Sequence, residues 1–292
     1  VRAHVLTRGW RRQDDYTYFP RLPEDRWWEG YGEYADFDYP LLFVEADGVS
    51  WRAYLGGMAT SREDVTGTPI RLSLALDGDC GPGRETDWVT RLVAEHVQGQ
   101  GRSGETAAPA EKGVLGALDQ AFDQSAVAAL FAGTAGPGTE VEDLVDTAVG
   151  RHADTAESPP RPARSRTPSP SAPTGSWVAG LGAAEARDAF VAHTDALLAG
   201  TVTGRALVLN SLDDPEALPK PAPDEHLVVL ADASEERFGS TPVAIRGKAS
   251  GRSPAARVDS RLVWAALGVG AVVVLLRCGR RRRERGPTLR DR

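Results

Sequence analysis

Residues 262–276 of this 292-residue chain, LVWAALGVGAVVVLL, contain no charge, and eight of the sixteen residues that follow are arginine. A helix of fifteen residues rises only about 22 Å, short of the roughly 30 Å hydrocarbon core of a bilayer. Taken as residues 258–278 the run is long enough, with Arg261 and Arg277 able to reach the headgroups and Trp264 suited to the interface. A buried helix of a soluble protein is rarely followed by RRRRER, so a single C-terminal span is expected, with a core or in-plane helix as the alternative. Arg280, Arg281, Arg282 and Arg283 are then addressed to anionic lipid headgroups. Gly268 and Gly270 lack the four-residue spacing of a tight helix dimer.

Charge separates this tail from the rest. From Arg277 onward eight Arg stand against Glu284 and Asp291, a net of +6, which leaves −13 on residues 1–276 within a formal total of −7. A body so acidic is a poor match for a phosphate backbone, and nucleic-acid binding is not expected. Cys80 and Cys278 form neither a disulfide framework nor a metal-ligand spacing, which fits a reducing compartment. VRAHVLTRGWRRQDDY has no apolar run of the kind a secretory signal needs.

Two rules then conflict over orientation. The arginine cluster favours a cytoplasmic C-terminus and an extracytoplasmic body, whereas the missing signal favours a cytoplasmic body. The second is the expectation adopted, with the first as the alternative.

All six tyrosines lie between positions 16 and 54, and fourteen of the twenty aromatic residues precede position 99, which places the compact core in the N-terminal third. Within it, YPLLFVEADGVSWRAYLGG reads as a hairpin over residues 41–55, with Asp47-Gly48 as the centre of a type I′ turn. TPIRLSLALDG alternates Ile70, Leu72, Leu74 and Leu76 with smaller or polar residues, the period of a half-buried strand. RAHVLTRGW is a weaker strand. ETDWVTRLVAEHV has helical spacing, with Thr86 or Asp87 as cap. EKGVLGALDQAFDQSAVAALFAG carries one helical stripe from Val114 to Phe131, and GTEVEDLVDTAV is a short helix after Pro137.

DTAESPPRPARSRTPSPSAPTG cannot bury enough apolar surface to offset its ordering entropy and reads as a disordered linker. Beyond it, GAAEARDAFVAHTDALLAG is a helix, and RALVLNSL and HLVVLADA are apolar runs typical of buried, parallel strands. The fold class expected is α+β or mixed α/β. Its parts are an aromatic-rich body (1–151), the linker (152–175), a small α/β segment packing on the body (176–235), a polar spacer (236–257), the span (258–278) and the tail (279–292).

Little here points to chemistry. GLGAAEA at 180–186 lacks the third glycine of a dinucleotide-binding turn, and no strand is evident before it. GTAGPG has no Lys-Ser/Thr pair after it and reads as an inter-helix turn. The five histidines are scattered, with His96 and His193 expected at helix boundaries or surfaces. No cofactor or metal is implied.

The stretch with most functional content is residues 56–69, GGMATSREDVTGTP, read as a loop that displays Ser61, Arg62, Glu63 and Asp64. Arg62 suits a carboxylate or phosphate, and the two acids suit a cation. PEDRWWEGYGEY offers Trp27 and Trp28 either as a binding surface or, more simply, as core. The function expected is a membrane-anchored, non-enzymatic binding or adaptor protein with the bilayer and a protein as partners. The alternative is a tethered enzyme whose acids, Asp14, Asp15, Glu63 and Asp64, converge.

Overall fold

The computed structural model describes residues 1–81, 83–100, 112–138, 140–155, 175–212, 218, 220–222, 224–231 and 242–245. Most of the expected linker, most of the polar spacer, the apolar run and the Arg-rich tail lie outside these residues. The chain divides into two units, residues 1–247 and residues 248–292. Among the described residues no helix is long and apolar enough to cross a membrane.

Alternation of apolar and polar residues builds β1 (Arg2–Thr7) and β5 (Pro69–Asp79), β3 (Leu41–Ala46) is an apolar run buried on both faces, and the short β2 (Thr17–Phe19) lies along β1. The hairpin between β3 and β4 (Ser50–Glu63) is present, but its centre is one residue further along than expected. The Asp47 amide donates to the Ser50 carbonyl at 3.1 Å, so Gly48 and Val49 are the central pair. Gly48 has φ +89°. Glycine at the first central position is the order that type II′ turns favour, not type I′. Asp47 closes the turn by accepting from the amides of Ser50 and Val49, which holds its carboxyl below the usual range.

A larger correction concerns residues 56–69. Only 64–68 form a turn, because β4 continues through Gly56 and Gly57 as far as Glu63 and pairs with β5 on either side of two register shifts. Gly57 has φ +66°, and a Cβ there would stand 2.5 Å from the Tyr39 carbonyl, so the register shift needs glycine. The two glycines mark a bulge in a long strand, which mimics a loop in sequence.

The helices follow. In α1 (Arg84–Gln100), Thr86 sits inside the first turn, its hydroxyl donating back to the carbonyls of Gly81 and Gly83 instead of capping an amide. The expected single stripe is two helices, α2 (Gly113–Ala121) and α3 (Gln124–Ala132), because Asp123 caps α3 by accepting from Ala126 N at 2.8 Å. α4 (Val141–Thr155) follows. Then come β6 (Trp177–Gly180), α5 (Ala184–Leu198), β7 (Gly204–Leu209), β8 (His226–Ala231) and the two-residue β9 (Val243–Ala244). A strand therefore does precede GLGAAEA; at four residues, β6 is too short for its period to show.

The nine strands among the described residues form one sheet in the order β2-β1-β5-β4-β3-β7-β8-β6-β9. The first five are antiparallel neighbours, β7, β8 and β6 are parallel, and β3 joins the halves by pairing antiparallel with β7. The fold is α+β with a mixed sheet. Helices cover one face, where Leu92, Leu118, Phe122, Phe190 and Leu198 are buried with strand residues such as Leu55 and Leu74. The other face is covered by a short 3₁₀ helix (Trp27–Tyr31) and irregular chain, with Trp28, Tyr31, Phe43 and Tyr54 at its centre.

Candidate functional site

Five strands put one charged residue each on a single rung of the sheet. Arg2 of β1 stands opposite Asp77 of β5, Asp77 opposite Arg52 of β4, Arg52 opposite Glu45 of β3, and Glu45 opposite Arg205 of β7. The sign alternates along the whole row. Arg2 holds Asp77 through Nη2 at 2.5 Å and Nε at 2.7 Å. Arg52 holds Glu45 through Nη2 at 2.6 Å and Nε at 2.8 Å, and its Nη1 reaches Asp25 in the covering chain at 2.9 Å.

The cover completes the site. Trp27 lies 4.6 Å from the Arg52 guanidinium, a cation–π contact, and the Tyr31 hydroxyl donates to Glu45 Oε1. Burial, then the Glu45 charge, pushes Tyr31 well above the usual phenol range, with Arg205 opposing. Arg205 meets Glu225 at 3.5 Å and the Lys220 carbonyl at 3.2 Å, and its Nε is buried without a partner. The result is a half-solvated surface whose charges are held in place by one another. It suits recognition of a charged or aromatic partner. Trp27 is half-buried in it, while Trp28 is core, stacked on Tyr54 at 4.7 Å.

The other residues read from sequence lie at the opposite end of β4. Arg62 is 6% exposed, and its guanidinium turns inward to Thr7 Oγ1 at 2.6 Å and the Arg8 carbonyl at 3.2 Å, leaving Nε unpartnered. Desolvation lowers its pKa, with Asp119, Tyr16 and Asp123 opposing. Asp64 is also buried. Its carboxylate accepts from the Thr66 hydroxyl and from the amides of Thr68 and Thr66, bonds that hold its pKa at about 2, and Arg8 stands 3.4 Å away. Asp64 braces the turn at 64–68, and Arg62 ties the end of β4 to the end of β1. Ser61 and Glu63 are exposed, and the Ser61 amide donates to the Asp119 carboxylate.

The acids of the enzyme alternative are dispersed in orientation. Asp14 packs against Gly9, Asp15 accepts from the Tyr16 amide, Glu63 faces solvent and Asp64 turns into its own turn. Among the described residues no three His, Cys, Asp or Glu side chains gather in a way that would hold a metal ion.

Two histidines are further inside than expected. His96 is buried in α1 with Nε2 donating to the Leu41 carbonyl at 3.0 Å, and desolvation lowers its pKa to about 4. His193 lies mid-helix beside His226, ring centroids 6.1 Å apart, and desolvation followed by that neighbour also lowers it to about 4. At GLGAAEA the Arg187 guanidinium donates to the carbonyls of Leu181 and Gly182, both at 2.8 Å.

Sequence reasoning missed Glu45, Arg52, Asp77 and Arg205 as a group. Arg52 and Glu45 are seven positions apart across a legible hairpin, so that pair was within reach. Asp77, Arg2 and Arg205 join only through strand order. Comparison with protein-family models, with curated proteins and with solved structures gives no match.

Proposed function

We propose that the chain is a single-pass, membrane-anchored binding or adaptor protein of the cell membrane. In this reading residues 258–278 cross the bilayer, Arg261, Trp264 and Arg277 lie at its interfaces, and Arg280 to Arg283 meet anionic headgroups. The body recognises a protein partner without catalysis. The observation that supports recognition is Arg52: one guanidinium packed on Trp27 and ion-paired on two sides, in a row of fixed charges. Trp, Tyr and Arg in such settings carry most of the energy of protein interfaces. The exposed Ser61 and Glu63 are a secondary contact region, with Arg62 and Asp64 turned inward behind them, and Trp28 packs edge-on against Trp27.

Two experiments test this. Deleting residues 258–292 is expected to release a folded, soluble body, and recovery of the full-length chain without detergent would overturn the anchor. A photo-crosslinking residue at position 27 is expected to give an adduct of fixed mass in intact cells, lost in Arg52→Ala; absence of any adduct counts against the recognition surface. For orientation, the body is assigned to the cytoplasm. Cleavage within residues 158–173 by protease added to intact, wall-stripped cells would place it outside.

A further inference from the structure

At the end of the sheet opposite the charged row, two loops stand side by side. The loop after β1 and the turn after β4 are joined by the Val65 amide, which donates to the Trp10 carbonyl at 3.2 Å. Their exposed large side chains are Trp10, Val65 and Tyr16, at 50%, 46% and 43% exposure.

Every support beneath them is fixed. The Gly9 amide donates to the Asp14 carbonyl and the Asp14 amide to the Arg11 carbonyl, both at 2.9 Å. Arg8 lies over the Tyr16 ring, the Tyr16 hydroxyl accepts from the Arg71 amide, and Asp64 is bound three times within its own turn. A mobile tip would lose apolar exposure by collapsing. This one is braced to keep it.

Charge is graded along the same loop. The apex, residues 10–13, carries Arg11 and Arg12, both exposed and without an ion pair among the described residues, and no acid. Asp14 is turned back on Gly9, Asp15 accepts from the Tyr16 amide, and Glu63 is the last residue of β4. An indole flanked by two free arginines is matched to the boundary between acyl chains and anionic headgroups, where Trp and Tyr concentrate. Each basic residue near such a surface is worth about fivefold in affinity.

We infer that the Trp10, Arg11, Arg12 and Val65 apex rests on an anionic lipid bilayer. This rests on the anchored reading above, because the tether is what makes a weak contact count. The described chain leaves the body at Ile245, whose amide bonds Ser176 at the start of β6, at the level of the charged row and far from the apex.

The test uses the full-length chain in phosphatidylcholine vesicles with and without about a quarter phosphatidylglycerol, read by vesicle flotation and by hydrogen exchange at residues 9–14 and 64–68. Slower exchange of these amides in the anionic vesicles, abolished in the Arg11→Ala/Arg12→Ala and Trp10→Ala variants with unchanged melting temperature, is the expected result. A chain that floats with both vesicles but exchanges equally in both overturns the apex contact and leaves the anchor standing. A chain that floats with neither overturns the anchor itself. Protection that rises with protein concentration in the absence of vesicles assigns the surface to a second copy, and overturns the lipid contact.

Discussion

The two faces of the sheet satisfy their polar groups in opposite ways. Under the helices, buried polar side chains bond mainly to main chain or to one another's hydroxyls: His96 to Leu41, Thr194 to Phe190, Arg62 to Arg8 and Thr7. Under the irregular cover, charged side chains bond to each other, in the chain Asp25, Arg52, Glu45, Tyr31. A helix consumes its own backbone groups and seals a face, so a polar side chain below it must find a local carbonyl. A loop cover leaves water near and lets an ionic row persist without full desolvation. The sealed face therefore carries stability, and the half-open face carries the recognisable chemistry.

The strongest way to break this contrast is to truncate one large residue on each face. Phe190→Ala, on the sealed face with no exposure, is expected to cost about 5 kcal/mol, the upper end for such a change. Trp28→Ala is expected nearer 3 kcal/mol, because the irregular segment around it relaxes into the space more easily than packed helices do. Urea unfolding of the two variants gives the order; the reverse order would refute the account of the two covers.

Acid should find the sealed face next. His96 and His193 have folded-state pKa values near 4, below the ordinary 6.5, so the unfolded chain takes up their protons first. Stability is full above about pH 6.5 and falls as pH drops toward 4, by roughly 3 kcal/mol for His96 over the whole window. His96→Gln should flatten that limb of the pH profile, measured as melting temperature between pH 7 and 4. A limb that stays as steep would mean that other groups drive it.

Gly48→Val loads both faces at once, since the turn joins β3 to β4. Its φ of +89° resists a β-branched residue, and a Cβ would stand 3.2 Å from Thr203 Cγ2. A loss of about 1 kcal/mol or more is expected, and an unchanged melting temperature would remove the turn geometry from the argument.

The smallest effect tells the faces apart most finely. A double-mutant cycle of Glu45→Gln with Arg52→Met should show a coupling of about 1 kcal/mol or less that fades with salt, because Arg52 is 39% exposed and screened. The coupling of Thr194→Val with Phe190→Leu should be close to zero, as the Thr194 hydroxyl bonds the Phe190 carbonyl and not its ring.

What was legible in the sequence was whatever is local in cause. Period-two alternation marked β5, a weaker pattern marked β1, and apolar runs marked β7 and β8 as buried strands of the kind that pair in parallel, as they do. Asp123 was equally local, a helix cap in plain view, yet the continuous stripe from Val114 to Phe131 concealed it. The long strand β4 was misread because Gly56-Gly57 signals a turn unless one knows that Tyr39 presses against it. Arg62 and Asp64 looked like displayed ligands because a strand end and a loop share a composition; only the fold shows them facing inward. The row from Arg2 to Arg205 was illegible for a stronger reason. Its members are neighbours through strand order, and no spacing within the chain encodes that order.

One consequence of the β3/β7 junction belongs to the time before the protein is finished. β3 is an interior strand only because β7 pairs with it, and nearby the Asp36 amide bonds Asn210, 174 positions later. At translation rates of about 5–20 residues per second, the flank of Leu41, Leu42, Phe43 and Val44 waits on the order of ten seconds or more for its neighbour. An unpaired, fully apolar strand flank is a template for another nascent chain. We predict that ribosome-bound chains stalled near residue 200 bind chaperones and scatter light, and that chains stalled past about residue 270 do not. Equal behaviour of the two would refute the prediction. The junction that makes one sheet from two halves thus sets the interval in which the growing chain depends on the cell to keep it from its copies.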